Sequence, residues 1–127
     1  MKIVIGTNDR QTINPDHFGE SKHFCVTEIL MAKEHSVECR DNPFYNRGHG
    51  IPGKARKIVE LLRDCDVVIV KSIGKNAFKL FPDKKIELYL TRLSKIDDTI
   101  NKFSHGELGY FKKFDPASGK FKECVSV

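Results

Sequence analysis

The sequence predicts a single-domain α/β fold with a mixed sheet. Three observations carry that prediction: two short apolar runs, Ile3-Val4-Ile5 and Val67-Val68-Ile69-Val70; helix-patterned segments before and after the second run; and an early pair of alternating segments separated by a tight turn. Apolar runs closed by glycine or polar residues suit buried central strands. Strand-helix-strand crossovers impose parallel pairing and a tight hairpin imposes antiparallel pairing, so one sheet must contain both.

Each element follows from its residues. Ile3-Val4-Ile5, closed by Gly6, reads as a central strand. Asn14-Pro15-Asp16-His17-Phe18-Gly19 is a loop bounded by proline and glycine, and Asp9 reads as a turn residue. His23 to Met31 and Ser36 to Arg40 are the next two strands, joined around Ala32-Lys33-Glu34. Pro52 suits the first turn of a helix, and Ile51, Ala55, Ile58, Val59 and Leu62 give it one apolar stripe to about Arg63. Asp66 to Val70 is a buried strand, turned by Lys71-Ser72-Ile73-Gly74 into a short helix with Ala77, Phe78 and Phe81 that Pro82 should end. Ile86 to Leu90 supplies another strand. Ser94, with Asp97 and Asp98, starts a last helix through Ile96, Ile100 and Phe103, stopped near Gly106. Tyr110 to Val127 alternates around Asp115-Pro116-Ala117-Ser118-Gly119 and reads as an extra hairpin or edge strand.

Composition narrows the class. With 127 residues and 39% hydrophobic content, the chain can bury a core without metals or disulfides. No apolar run approaches the roughly 20 residues that span a bilayer, and the amino terminus lacks a signal-peptide pattern, so a cytoplasmic protein without a membrane partner is expected. Cys25, Cys39, Cys65 and Cys124 form no Cys-x-x-Cys pair and are expected as thiols, with Cys25 and Cys65 as small core residues. The net charge of +5 is concentrated in residues 65–127, which hold 12 Lys/Arg against 8 Asp/Glu. A solvated basic surface that favours acidic ligands accounts for that excess.

Glycine, histidine and lysine converge in Arg47-Gly48-His49-Gly50-Ile51-Pro52-Gly53-Lys54-Ala55. Gly48 and Gly53-Lys54 match the phosphate-loop spacing, but Ala55 stands where the magnesium-holding Ser or Thr belongs, and polar Arg40 to Asn46 replaces the required upstream strand. What remains is a helix start with free N–H groups beside an imidazole and cations, a site suited to an anion.

At the carboxyl ends of the parallel strands, Thr7-Asn8-Asp9 and Lys71-Ser72 should meet the loops carrying His17 and His49. His17 and His49, with Cys39 as a thiolate, offer ligands suited to iron, copper, zinc or a metal-sulfur cluster. Their spacing matches no metal-site pair, so loop histidines that bond the backbone account for them equally well. His23, His35 and His105 read as surface residues.

The series Met1 to Ile5, His17-Phe18-Gly19 with Phe24 following, Gly48-His49-Gly50, Asp66 to Val70 through Ile73-Gly74, Ala77 and Phe78, and the segment from Ile100 to Leu108 resembles the dinitrogenase iron-molybdenum cofactor biosynthesis family of nitrogenase-accessory-like domains. The resemblance covers residues 1–108 and leaves 109–127 as an extension, expected to form a hairpin packed on the same domain. It implies a ribonuclease-H-like fold with a five-stranded mixed sheet. It also implies binding or carriage, without turnover, of an iron-molybdenum cofactor, its precursor or a related metal-sulfur cluster, exchanged with a donor or acceptor protein. Carried over by position, the cofactor-binding residues are His17, Phe18, Gly19, Gly48, His49 and Gly50; Lys54 at the helix start and Lys71, with Ser72 on the same rim, join them to offset an anion's charge. The chain departs from the family pattern in its short Gly48-His49-Gly50 run, in Lys71-Ser72 where many relatives have Gly-Gly, and in its basic tail.

Two rival classes fit the residues less well. A two-metal nuclease needs converging carboxylates, yet Ile3-Val4-Ile5 holds none, and Asp9 with Asp66 is sparse. A basic nucleic-acid- or protein-interaction module could use Phe111, Phe114 and Phe121 interleaved with Lys112, Lys113, Lys120 and Lys122, but alternation at period two favours phenylalanines packed inward. Nucleic acid is therefore a disfavoured partner.

Overall fold

A computed structural model of the chain describes residues 1–45, 51–74 and 77–124. Seven strands build one sheet: β1 (Lys2–Thr7), β2 (His23–Leu30), β3 (Lys33–Asp41), β4 (Val67–Val70), β5 (Glu87–Thr91), β6 (Phe111–Asp115) and β7 (Lys120–Glu123). Their order is β3-β2-β1-β4-β5-β6-β7. β1 runs parallel to β4 and β4 to β5, while every other pair is antiparallel. The sheet is therefore mixed, as expected, but it has seven strands rather than five. The tail hairpin is the reason: Phe111 pairs with Thr91, so the chain's last two strands extend the sheet beyond β5.

The pleat divides the core into two faces. On one, Val4, Phe24, Val26, Val68 and Leu88 pack under helices α1 (Lys54–Leu61) and α2 (Leu80–Asp83) through Ile58, Val59 and Phe81. On the other, Ile3, Ile5, Val67 and Ile69 meet Ile96 and Ile100 of α3 (Ile96–Ser104). Val4, Val68 and Ile69 are 0% exposed, which suits central strands covered on both faces. Each such side chain contributes about 1.5–3 kcal/mol of transfer free energy. No helix among the described residues is long and apolar enough to cross a membrane.

Several boundaries differ from expectation for identifiable reasons. The β2–β3 turn is the two residues Met31 and Ala32, both at positive φ (53° and 64°), a backbone twist that matches the hairpin's own. Helix α1 starts at Lys54, after Gly53 at φ 68°, so Pro52 lies in the preceding turn and not in the helix. Pro82 sits inside α2 instead of ending it, because the first turn of a helix needs no N–H from that position. Ser94 does not cap α3. Its N-cap is Lys95, without a side-chain cap bond, and Asp97 and Asp98 supply the first-turn negative charge.

The largest correction concerns the cysteines. Cys25 and Cys39 stand directly opposite each other in the β2–β3 register, with Cα atoms 4.0 Å apart, and are joined as a disulfide. Cys65 is a buried free thiol, as its apolar surroundings suggested, and Cys124 is a partly buried one. The tail phenylalanines point inward: Phe111 packs on the α3 face and Phe114 on the other, where it meets Phe78 and Phe121 at 5.4 and 5.2 Å. Rings held in this way are not free to stack on bases.

Candidate functional site

The carboxyl ends of β1 and β4 lie side by side, since the two strands are parallel neighbours. The loop from Asn8 to Lys22 folds back across that edge, and side chains hold it there. Asn14 donates to the His17 carbonyl (3.2 Å) and to Ser21 Oγ (3.0 Å), and Ser21 Oγ donates to the Phe18 carbonyl (2.7 Å). Asn42, from beyond β3, donates to the carbonyls of Gly19 (3.0 Å) and Ser21 (2.8 Å). Asn14, Ser21 and Asn42 are all buried, so this network satisfies carbonyls that water cannot reach. Phe18 pins the loop from below, its ring 4.9 Å from Phe24 and 5.8 Å from Phe81.

Gly6 makes the approach possible. A Cβ at that position would collide with Ser21 Oγ, and Ser21 is itself fixed by Asn14 and Phe18. Asp9 behaves as the turn residue expected: its Oδ1 accepts the amides of Gln11 (2.9 Å) and Thr12 (2.7 Å). Those bonds hold its carboxyl down at about 2. Asp9 therefore stabilises its own loop, whereas Asp66 precedes β4 and accepts the Lys2 amide at the opposite edge of the sheet. The two carboxylates do not converge.

His17 is exposed, and its backbone bridges to Ser72 immediately after β4, with the Phe18 amide donating to the Ser72 carbonyl (3.0 Å). Its Nδ1 lies 2.9 Å from Ser72 Oγ. When Nδ1–H donates to that hydroxyl, the lone pair on Nε2 is left for an external partner. Lys71 Nζ donates to Ser94 Oγ at 3.0 Å, a neutral partner. Lys54 instead forms an ion pair with Glu20 at 2.8 Å, which ties the start of α1 to the His17 loop and offsets the lysine's charge. Gly19 is not demanded by packing, because a Cβ there would meet Ile58 at an ordinary 3.4 Å.

Five of the predicted positions, His17, Phe18, Gly19, Lys71 and Ser72, thus share one edge, with Lys54 adjoining through Glu20. Gly48, His49 and Gly50 lie outside the described residues. Cys39 is not part of this edge. Its sulfur is bonded to Cys25, and the pair lines a cavity of about 510 Å³ beside Ile96 and Ile100 of α3, on the sheet face opposite Phe18. The expectation of a Cys39 thiolate ligand beside His17 therefore fails on topology as well as on oxidation. Among the described residues no three His, Cys, Asp or Glu side chains cluster as a metal site.

Sequence reasoning passed over Gly6, Asn14, Ser21 and Asn42. The available signals were weak: a glycine in an otherwise apolar strand and an asparagine before proline, neither of which names a partner.

The family profile described as dinitrogenase iron-molybdenum cofactor matches residues 1–106. The chain belongs to that family. An uncharacterised protein of Methanocaldococcus jannaschii is 28% identical over 112 residues, covering 88% of this chain and 92% of its own length. A crystal structure of a candidate dinitrogenase from the same organism superposes with a TM-score of 0.65 at 25% identity, covering 89% of this chain and 93% of that one. The apo orange protein of Desulfovibrio gigas shares the fold, with a TM-score of 0.69 at 17% identity over 84% and 88% of the two chains. The dinitrogenase-cofactor match ends before β6, so the hairpin that completes the sheet lies beyond the matched segment.

Proposed function

We propose that the protein binds or carries, without turnover, an iron-molybdenum cofactor, its precursor or a related metal-sulfur cluster, received from or passed to another protein. The observation that carries this reading is the His17–Ser72 contact at 2.9 Å, which presents an exposed imidazole at the carboxyl edge of two parallel strands. In this reading His17 and His49 touch the cargo, with Phe18 and Gly19 as the fixed support of His17. Gly48 and Gly50 flank His49 in the sequence, Ser72 orients the His17 ring, and Lys71 faces the anionic cargo. Lys54 contributes by holding the loop through Glu20 more than by its charge. Membership of the dinitrogenase iron-molybdenum cofactor family supports a role connected with that cofactor.

We read residues 1–108 as the family domain, with a ribonuclease-H-like arrangement of its first five strands, and 109–127 as its extension. The parting of Asp9 and Asp66 to opposite edges argues against two-metal nuclease chemistry in that arrangement.

Anaerobic reconstitution with iron, sulfide and molybdate tests the proposal. A coloured species that copurifies with the protein is expected. Its retention unchanged after His17→Ala and His49→Ala together, or no binding at all, would sink the idea.

A further inference from the structure

Beyond Lys71 the same sheet edge opens into a cleft of about 290 Å³ lined by Lys71, Thr91, Arg92, Tyr110, Lys112 and Glu123. We propose that this cleft binds a small dianionic oxyanion, of the size and charge of phosphate or molybdate.

Three neighbouring strands deliver its charges. Val70 pairs with Leu90 and Leu90 with Lys112, so Lys71 and Arg92 at the ends of β4 and β5 stand close to the start of β6. Three cations then face one carboxylate. Glu123 lies 3.6 Å from Lys112 and offsets that charge. Lys71 donates to the neutral hydroxyl of Ser94, and Arg92 has no carboxylate partner among the described residues. Tyr110 positions the guanidinium without neutralising it: Arg92 Cζ lies 6.0 Å from the ring centroid, and Lys102 Nζ lies 5.3 Å from the same ring. Neither cation is matched by a carboxylate among the described residues, so a dianion between them would accept charge-assisted bonds from both. A nucleic-acid strand would need a series of exposed stacking platforms, whereas the cleft offers only the half-buried Tyr110 and the nearby Phe111 and Phe114 are buried.

Arg92 and Lys112 belong to the cleft alone, so its test is separable from cluster binding. Apo protein, with no iron or sulfide present, is titrated calorimetrically with phosphate and separately with molybdate in dilute chloride buffer. Saturable binding of either ion is expected, weakened roughly tenfold or more by Arg92→Ala, in line with loss of one charge-assisted bond. Lys84→Ala, which removes an exposed lysine that pairs elsewhere with Glu60, should leave it unchanged. Absence of saturation up to roughly 10 mM, or equal weakening by Arg92→Ala and Lys84→Ala, would overturn the assignment. Either negative result leaves cluster binding standing, and a failed reconstitution leaves the cleft standing.

Discussion

The ring of His17 and the hydroxyl of Ser72 meet at 2.9 Å across 55 residues of sequence, and their backbones bridge in parallel at the same point. A bond to one imidazole nitrogen selects which nitrogen is offered outward and fixes the ring's direction. Ser72→Ala should therefore lower retention of a reconstituted cluster by roughly 10–100-fold without changing the melting temperature, read by metal content after gel filtration. Equal metal content in Ser72→Ala and the parent chain would show that the hydroxyl does not orient a ligand.

Gly6 is required by contact and not by backbone conformation, since Ser21 Oγ occupies the space of a side chain. Gly6→Ala is expected to destabilise the fold by about 1–3 kcal/mol, the usual cost of overpacking, measured by urea denaturation. Adding Ser21→Ala removes the colliding oxygen, so the two losses should be less than additive. Strict additivity would mean that the loop yields freely.

Asp64 offers a pH signature. Arg40 donates to both its oxygens at 2.7 Å and Lys2 Nζ lies 3.3 Å away, which holds the carboxyl well below the usual carboxylate range, the Arg40 hydrogen bonds being the main cause. A depressed folded-state value stabilises the fold above the unfolded value of about 3.9. That contribution is lost as the pH falls from there toward the folded value. The Asp64 side chain is 41% exposed, so screening limits its worth to about 1 kcal/mol. Asp64→Asn should lower stability at neutral pH, and its deficit should shrink in acid. A constant offset from neutral pH down to about pH 2 would refute the linkage.

The cysteines should respond in three steps. Burial first, then the charge of Asp64, pushes the Cys65 thiol up to about 12, so alkylation of the folded, unreduced protein should label Cys124 alone. Unfolding without reductant should expose both free thiols, and reduction should bring the total to all 4 cysteines. Because the Cys25–Cys39 bond spans 14 residues, its loss through Cys39→Ser should cost about 2–3 kcal/mol under oxidising conditions and little in reductant. Full labelling of the unreduced, unfolded chain would rule the disulfide out.

Much of the fold was legible in local pattern. Ile3 to Ile5 and Val67 to Val70 are central strands because unbroken β-branched runs suit burial on both faces. Ile58, Val59 and Leu62 recur at helical spacing and are all buried. Pro82 misled because proline's effect depends on its place in the helix, which sequence does not fix.

The candidate site divides along the same line. Sequence alone determined the α/β class, the family, and the residue types offered at the sheet edge: an imidazole in a Phe-Gly loop and a lysine-serine pair after a buried strand. Only the tertiary structure decided their company. It set His17 against Ser72, paired Lys54 with Glu20, and sent Cys39 to Cys25 on the far face of the sheet. It also joined Lys71 to Arg92 around a cleft. Strand and helix patterns depend on neighbours within a few residues, whereas these contacts depend on which strands lie side by side and in what register, set by the packing of both sheet faces at once.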